Sequence, residues 1–326
     1  MSHVLVTGAD GFIGSHLVEM LVRQGHSVRA MVLYNSFGQT GWLNESPVRS
    51  EAEVWPGDVR DPDSCARATE SIDVIFHLAA LIAIPYSYQA PRSYIDTNVT
   101  GTLNICAAAL KSGVSKVVSM STSEVYGTAL SAPISEDHPL QPQSPYSASK
   151  IGADAVARSF YFSFGLPLCL ARPFNTYGPR QSRRAFIPAV MSQVLANVDV
   201  VKVGDLRPTR DLTFVEDTAL ALTLLAEKGP SDGSVVNIGT GVEHSMKDVV
   251  ETIQKIANTS IPLVQDQERM RPPDSEVLRL LADNTRLLNM TGFTPRTTLE
   301  DGLFQTMNWL RDRRNLRDED VTSFAV

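Results

Sequence analysis

Thr7-Gly8-Ala9-Asp10-Gly11-Phe12-Ile13-Gly14 is the stretch on which the fold turns. It lies directly between an apolar, strand-like run, His3 to Thr7, and a helical pattern, Phe12 to Gln24. Gly8 permits a tight turn at the strand end. Gly11 lets the main chain approach a pyrophosphate, and Gly14 lets the helix pack closely on a sheet. The N–H groups around Gly11, Phe12 and Ile13 then open the helix at the positive end of its dipole, which suits a phosphate. A glycine pattern alone is weak evidence. Here the strand before it and the helix after it supply the required context.

Outward from this stretch, strand-like and helix-like patterns alternate. Apolar, β-rich runs occur at 3–7, 27–33, 51–55, 73–78, 115–120 and 166–171, with helical patterns at 12–24, 62–70, 91–112 and 145–164 between them. Strand, helix, strand in series requires parallel pairing through right-handed crossovers. The strands are mostly continuous apolar runs, as burial on both faces demands. The fold class expected is α/β: a Rossmann-like, doubly wound parallel sheet with a smaller C-terminal substrate-binding lobe. Residues 1–177 and about 209–240 are assigned to the dinucleotide-binding part, and about 178–208 and 241–313 to the lobe. In the lobe, helices are expected at 186–196, 216–226, 246–257 and 299–311, and 314–326 reads as a frayed tail.

Cofactor contacts are assigned to Gly8, Gly11, Phe12, Ile13 and Gly14, and to residues at later strand ends. Asp58, in Gly57-Asp58-Val59-Arg60-Asp61, follows the third strand, where its carboxylate can meet the adenine amine beside Val59. His77-Leu78-Ala79-Ala80 ends the fourth strand, and the small residues there, with Leu78, let a cofactor lie close. One feature is missing. A carboxylate for the ribose hydroxyls should end the second strand, about 20 residues beyond the glycines, but that region reads Arg29-Ala30-Met31-Val32-Leu33-Tyr34-Asn35-Ser36. Arg29 reads as a surface residue rather than a reader of a 2′-phosphate. NAD is therefore expected over NADP, with NADP left open.

Tyr146-Ser147-Ala148-Ser149-Lys150 places a phenol and an ammonium at i and i+4 on one helix face. A phenol ionises near pH 10 when unperturbed. A nearby positive charge favours the phenolate, which can take a proton from a hydroxyl. Thr122, at the end of the fifth strand, can hydrogen-bond the same hydroxyl.

The 326 residues carry a net charge of −7 with a pI near 5.4, which argues against nucleic acid or an anionic membrane as partner. Cys65, Cys106 and Cys169 show no metal-ligand spacing and read as free thiols of a reducing cytoplasm, and no metal site is expected. The longest apolar stretch, 74–86, is too short to span a bilayer, and with a strand-like run beginning at His3 no leader is expected.

Residues 4–300 resemble the NAD-dependent epimerase/dehydratase branch of the extended short-chain dehydrogenases/reductases. The motifs that carry the likeness are TGADGFIG, GDVRD, HLAA, STSEVYG, SPYSASK, RPFNTYGPRQ, RDLTFVEDTA and RPPDSEVLRL. Tyr34-Asn35-Ser36, Gly41-Trp42-Leu43 and Ser275-Glu276-Val277 look most like UDP-N-acetylglucosamine 4,6-dehydratases of legionaminic-acid-type pathways. The resemblance implies oxidation of a nucleotide sugar at C4 by bound NAD, which acidifies the C5 proton. It makes Glu124 the base at C5, with water leaving C6 and hydride returning there. Ser123 stands where many dehydratases carry an Asp acid. A water relayed through Ser123, or Glu124 acting twice, would have to serve instead. The resemblance further implies that Lys150 anchors the nicotinamide ribose and that Asn175, Arg210 and Arg271 hold the diphosphate of a UDP-linked substrate. It also implies a homodimer built on helices 91–112 and 145–164. A C4 epimerase, a UDP-glucuronate decarboxylase and a non-catalytic NAD(P)-binding regulator stay open as alternatives.

Overall fold

The computed structural model describes residues 1–270 and 272–314. Strands and helices alternate through the first half: β1 (His3–Thr7), α1 (Phe12–Arg23), β2 (Ser27–Leu33), β3 (Glu53–Gly57), α2 (Pro62–Ala68), β4 (Val74–His77), β5 (Lys116–Met120) and β6 (Leu168–Pro173). With strand Asp232–Ile238 they form one seven-stranded sheet, ordered Asp232–Ile238, β6, β5, β4, β1, β2, β3. Every pairing in it is parallel. The expected Rossmann-like doubly wound sheet is thus present.

Side-chain alternation explains the unbroken apolar runs. On β1, Val4 and Val6 face one layer with Leu17, Ala30 and Phe76, while Leu5 faces the other with Met31, Ile75 and Ile105. Both layers are packed, so no face of the strand is left to polar residues. Pairing register sets the strand limits: Leu33 lies opposite Gly57, and Val117 opposite Leu168. β3 and β6 therefore start and end two residues later than composition alone suggests.

The helix Pro145–Phe164 has the expected limits for local reasons. Pro145 opens it, Ser144 and Ser147 form a reciprocal capping box, and Gly165 closes it in a left-handed turn at φ 72°. The helical run beginning at Pro91 differs from expectation. It reaches Ser112 only through a wider π-helical stretch, Ile95–Thr100, ahead of the regular helix Gly101–Ser112.

In the second half, strand Thr209–Phe214 centres a small sheet with Asn175–Tyr177, Glu243–Ser245 and Arg279–Leu280. Helices Phe186–Leu195 and Met246–Ala257 pack on a core of their own, with Ile187, Met191, Val249 and Ile253. The segment 209–240 is divided between layers. Its first strand belongs to the small sheet, its helix Val215–Lys228 packs on α1, and strand Asp232–Ile238 extends the large sheet. The strand order reverses between β1 and β4, which opens a crevice at the carboxyl ends of the strands.

Candidate active site

That crevice is a cleft of about 1440 Å³, lined by the residues that end or directly follow β1 to β6: Gly8, Leu33, Gly57, Leu78, Met120 and Pro173 among them. Gly8, Gly11, Phe12, Ile13, Gly14, Asp58, Val59, Leu78, Ala79 and Ala80 all line it, as do Thr122, Glu124, Tyr146, Lys150 and Asn175.

The glycine loop is built for close approach. Gly8 has φ +68°, and a Cβ there would stand 2.9 Å from the Ala79 main chain. A Cβ on Gly14 would overlap the Gly8 carbonyl. Gly11 is different: a Cβ there meets only the Gly8 carbonyl, at 3.2 Å, and otherwise the open cleft. No side chain caps the first turn of α1, and no acid lies in it. The loop is therefore a cradle open to an anion, which fits the pyrophosphate of a dinucleotide.

The hydroxyl of Thr7 fixes the opposite wall. It accepts the N–H groups of Leu78 and Ala79, each at 3.1 Å, and meets His77 Nδ1 at 2.9 Å. His77 Nε2 faces the Thr102 hydroxyl at 3.1 Å, and that hydroxyl donates to the Asn98 carbonyl at 2.6 Å. The donors close consistently with a neutral ring protonated on Nε2. Burial, with Lys150 adding to it, depresses the His77 pKa to about 3 and keeps the ring neutral.

The Tyr146–Lys150 pair sits across the cleft. Lys150 Nζ donates to the Met120 carbonyl at 2.7 Å. Burial lowers its pKa, and Asp154, one turn further along the helix, opposes that shift. Asp154 is itself paired with Arg172 at 2.7 Å and accepts from Ser121 at 2.7 Å, all out of solvent. Tyr146 packs edge-on to Tyr94, with ring centres 6.2 Å apart. Burial pushes the Tyr146 phenol up from its ordinary value. The Thr122 hydroxyl pulls it down, and Glu124 pushes it up further. The sequence suggested a phenol already lowered by its ammonium neighbour; in this cleft desolvation dominates instead. A cation arriving beside Tyr146 would pull the phenol back down.

Two assigned site residues lie elsewhere. Ser123 is buried in the short 3-10 turn Ser123–Tyr126 and is not among the cleft-lining residues. Arg210 is buried in the small sheet, where it donates to the Thr209 carbonyl at 2.9 Å and pairs with Glu276 at 3.3 Å, away from the cleft wall. Arg271 lies outside the described residues. Asp58 lines the cleft, but its carboxylate accepts both from the Arg60 main chain at 2.9 Å and from the Arg60 guanidinium, which holds it below the usual carboxylate range. Arg29 faces away: it pairs with Glu53 at 2.8 Å, donates to the Ala68 and Glu70 carbonyls and stacks on Trp55.

Other residues of the site escaped sequence reasoning. Asn98, in the π-helical stretch, clasps the Leu81 main chain from both sides and donates to Ser149 at 2.9 Å, fixing the 78–86 segment over the Tyr146 helix. Its signal, a polar residue in an apolar helical run, was present but ambiguous. Arg180, Arg183 and Arg184, a basic cluster that the sequence does reveal but leaves open between cleft and solvent, all line the cleft, and Arg180 is held by Glu19 at 2.6 Å. Asn175 and Gln181 each leave a side-chain oxygen buried without a hydrogen-bond partner, so the cleft wall contains polar groups not satisfied within the chain. Among the described residues there is no cluster of metal-binding side chains and no helix long and apolar enough to cross a membrane.

A doubly wound sheet, a glycine cradle and a buried Tyr–Lys pair on one cleft define a Rossmann-fold short-chain dehydrogenase/reductase. More narrowly, the chain belongs to the GDP-mannose 4,6 dehydratase family, whose model matches residues 5–306. A UDP-glucose 4-epimerase of Mycolicibacterium smegmatis is 34% identical over 95% of this chain and 98% of its own. A UDP-N-acetyl-alpha-D-glucosaminuronate decarboxylase of Bacillus cytotoxicus is 32% identical over 95% and 98%. The solved dTDP-glucose 4,6-dehydratase of Streptomyces venezuelae, with NAD and TYD bound, superposes with a TM-score of 0.87 at 29% identity, covering 97% of this chain and 99% of that one. The chain is thus an enzyme of the nucleotide-sugar epimerase/dehydratase family.

Proposed function

We propose that this chain is an NAD-dependent nucleotide-sugar 4,6-dehydratase acting on UDP-N-acetylglucosamine. The observation that carries the reading is the presence of a carboxylate, Glu124, on the same cleft wall as Thr122, Tyr146 and Lys150. A C4 oxidation needs the last three, and only a reaction at C5 needs the first.

NAD, when bound, supplies the hydride acceptor this chemistry needs at C4 and the donor it needs at C6. Tyr146 takes the proton of the C4 hydroxyl, which Thr122 orients. Lys150, fixed to the Met120 carbonyl, supplies positive charge beneath the site. Glu124 removes the C5 proton once C4 is a ketone. With Ser123 buried outside the cleft wall, the same Glu124 carboxyl gives that proton to the departing C6 hydroxyl, which leaves as water, and, reprotonated from solvent, it then supplies the new proton to C5. Asn175 and Gln181, with unsatisfied buried oxygens, are the polar groups offered to the nucleotide sugar.

The reading extends to a cytoplasmic homodimer. The three cysteines are free and buried, which suits a reducing compartment. Ile95, Leu103, Leu110, Phe162 and Phe164 leave apolar surface exposed on the two long helical runs.

Incubation with UDP-N-acetylglucosamine tests the assignment. A 4-keto-6-deoxy product supports it; a C4 epimer as sole product, or no turnover, removes it.

A further inference from the structure

β2 ends at Leu33, followed by Tyr34 and Asn35, with no acid to meet the hydroxyls of a dinucleotide ribose. A carboxylate nevertheless stands at that place, supplied by the neighbouring loop. Ala9 donates its N–H to the Met31 carbonyl at 3.1 Å, which draws the glycine loop against the end of β2. Asp10 follows, its carboxylate facing the Leu33 main chain. Trp42 donates its N–H to the Asp10 carbonyl at 3.0 Å from the far side. Gly41, at φ +54°, packs so tightly there that a Cβ would come within 2.9 Å of the Asp10 Cβ. The main chain of Asp10 is therefore clamped, while the residue lines the same cleft as Gly8, Gly11, Leu33 and Asp58.

We propose that Asp10 holds the adenosine ribose diol and repels a phosphate on its 2′ oxygen, so that this chain selects NAD over NADP. The inference rests on the cofactor reading above. A carboxylate offers two acceptor oxygens to two neighbouring hydroxyl donors. A 2′-phosphate would instead bring a charge of about −1.5 to −2 against it. Asp10 is partly buried at the cleft wall and accepts from the main chain of Asp10 and of Leu33, which favours its charged form, so like-charge repulsion there is less screened than at an open surface. No lysine or arginine pairs with Asp10 among the described residues. Arg29, the basic residue of β2, is engaged by Glu53 and two carbonyls instead.

Calorimetric titration of NAD and of NADP into the full chain, freed of co-purifying dinucleotide, and into Asp10→Ser and Asp10→Asn tests this. The wild-type chain is expected to prefer NAD by at least about tenfold. Asp10→Ser should weaken NAD by about tenfold or more, tighten NADP and erase the preference. Asp10→Asn, isosteric and uncharged, should gain NADP affinity with a smaller loss for NAD, and it keeps the test open should Ser disturb the loop. An unchanged NAD-to-NADP ratio in both variants, or equal weakening of both ligands, would overturn the proposal by showing that Asp10 merely shapes the loop. A wild-type chain that binds neither dinucleotide would overturn the cofactor reading itself, and this inference with it.

Discussion

The Arg172 guanidinium donates to the Asp154 carboxylate at 2.7 Å, with both side chains almost wholly out of solvent. The pair sits behind the active site. Asp154 raises the pKa of Lys150, and its second role is to accept from Ser121, next to Thr122. Removing one member leaves an uncompensated buried charge. Asp154→Asn should therefore lower unfolding free energy by about 3–5 kcal/mol in urea melts at neutral pH. Replacing both residues by apolar ones should cost clearly less than the sum of the two single changes, because no orphan charge remains. Strict additivity would show that the two charges do not act as a unit.

Tyr146→Phe removes the base for C4 and should lower turnover about 10²–10⁴-fold while leaving NAD affinity nearly unchanged. Glu124→Gln should block elimination by a similar factor yet permit C4 oxidation, read as reduced-cofactor absorbance without product. Glu124 is one of the groups that raise the Tyr146 pKa. Its neutralisation should therefore shift the rise of that oxidation rate to lower pH than in the wild type. A shift to higher pH would contradict the geometry.

Gly11 and Gly14 separate binding from packing. Gly14→Ala places a Cβ on the Gly8 carbonyl and should destabilise the fold by about 1–3 kcal/mol. Gly11→Ala points a methyl into the open cleft, with its nearest neighbour at 3.2 Å. It should leave the urea midpoint almost unchanged while weakening NAD about tenfold or more. Similar stability losses in the two variants would contradict the cradle.

His16 ties α1 to the Pro179 turn, its Nε2 lying 3.1 Å from the Pro179 carbonyl. Burial, with Arg180 beside it, lowers its pKa to about 4. Because the folded value lies below the unfolded one, the unfolded chain binds the extra proton first on acidification. Stability is whole above about pH 6.5 and is lost as pH falls toward 4. Between pH 7 and 5 the loss assignable to His16 is about 2 kcal/mol. His16→Gln, which keeps a donor for Pro179, should flatten that part of the profile in paired urea melts.

What the sequence made legible was local or periodic. The Pro145–Phe164 helix carries its own start and stop in Ser144, Pro145 and Gly165, so its limits and the Tyr146–Lys150 face could be read without any tertiary information. The glycine loop and the runs of β1, β4 and β5 were equally plain, since burial on both faces leaves an unbroken apolar signature, whereas β3, none of whose residues is buried, and β6 were displaced by two residues. What stayed hidden depends on partners far away in the chain. Arg210 is drawn to Glu276, and Ser123 is turned inward by a one-turn 3-10 helix. The π-helical stretch that aims Asn98 at Leu81 has the same composition as an ordinary helix. The missing acid of β2 was sought along that strand, whereas Asp10, the acid proposed for that role, lies on the loop beside it.

The central claim is an intramolecular transfer from C4 to C6 with Glu124 acting at C5. UDP-N-acetylglucosamine carrying deuterium at C4 tests it in one reaction, followed by NMR of the product. The account predicts a 4-keto-6-deoxy sugar with the label at C6 and a solvent-derived hydrogen at C5. Label retained at C4 in an epimerised sugar, with the C6 hydroxyl intact, would contradict it.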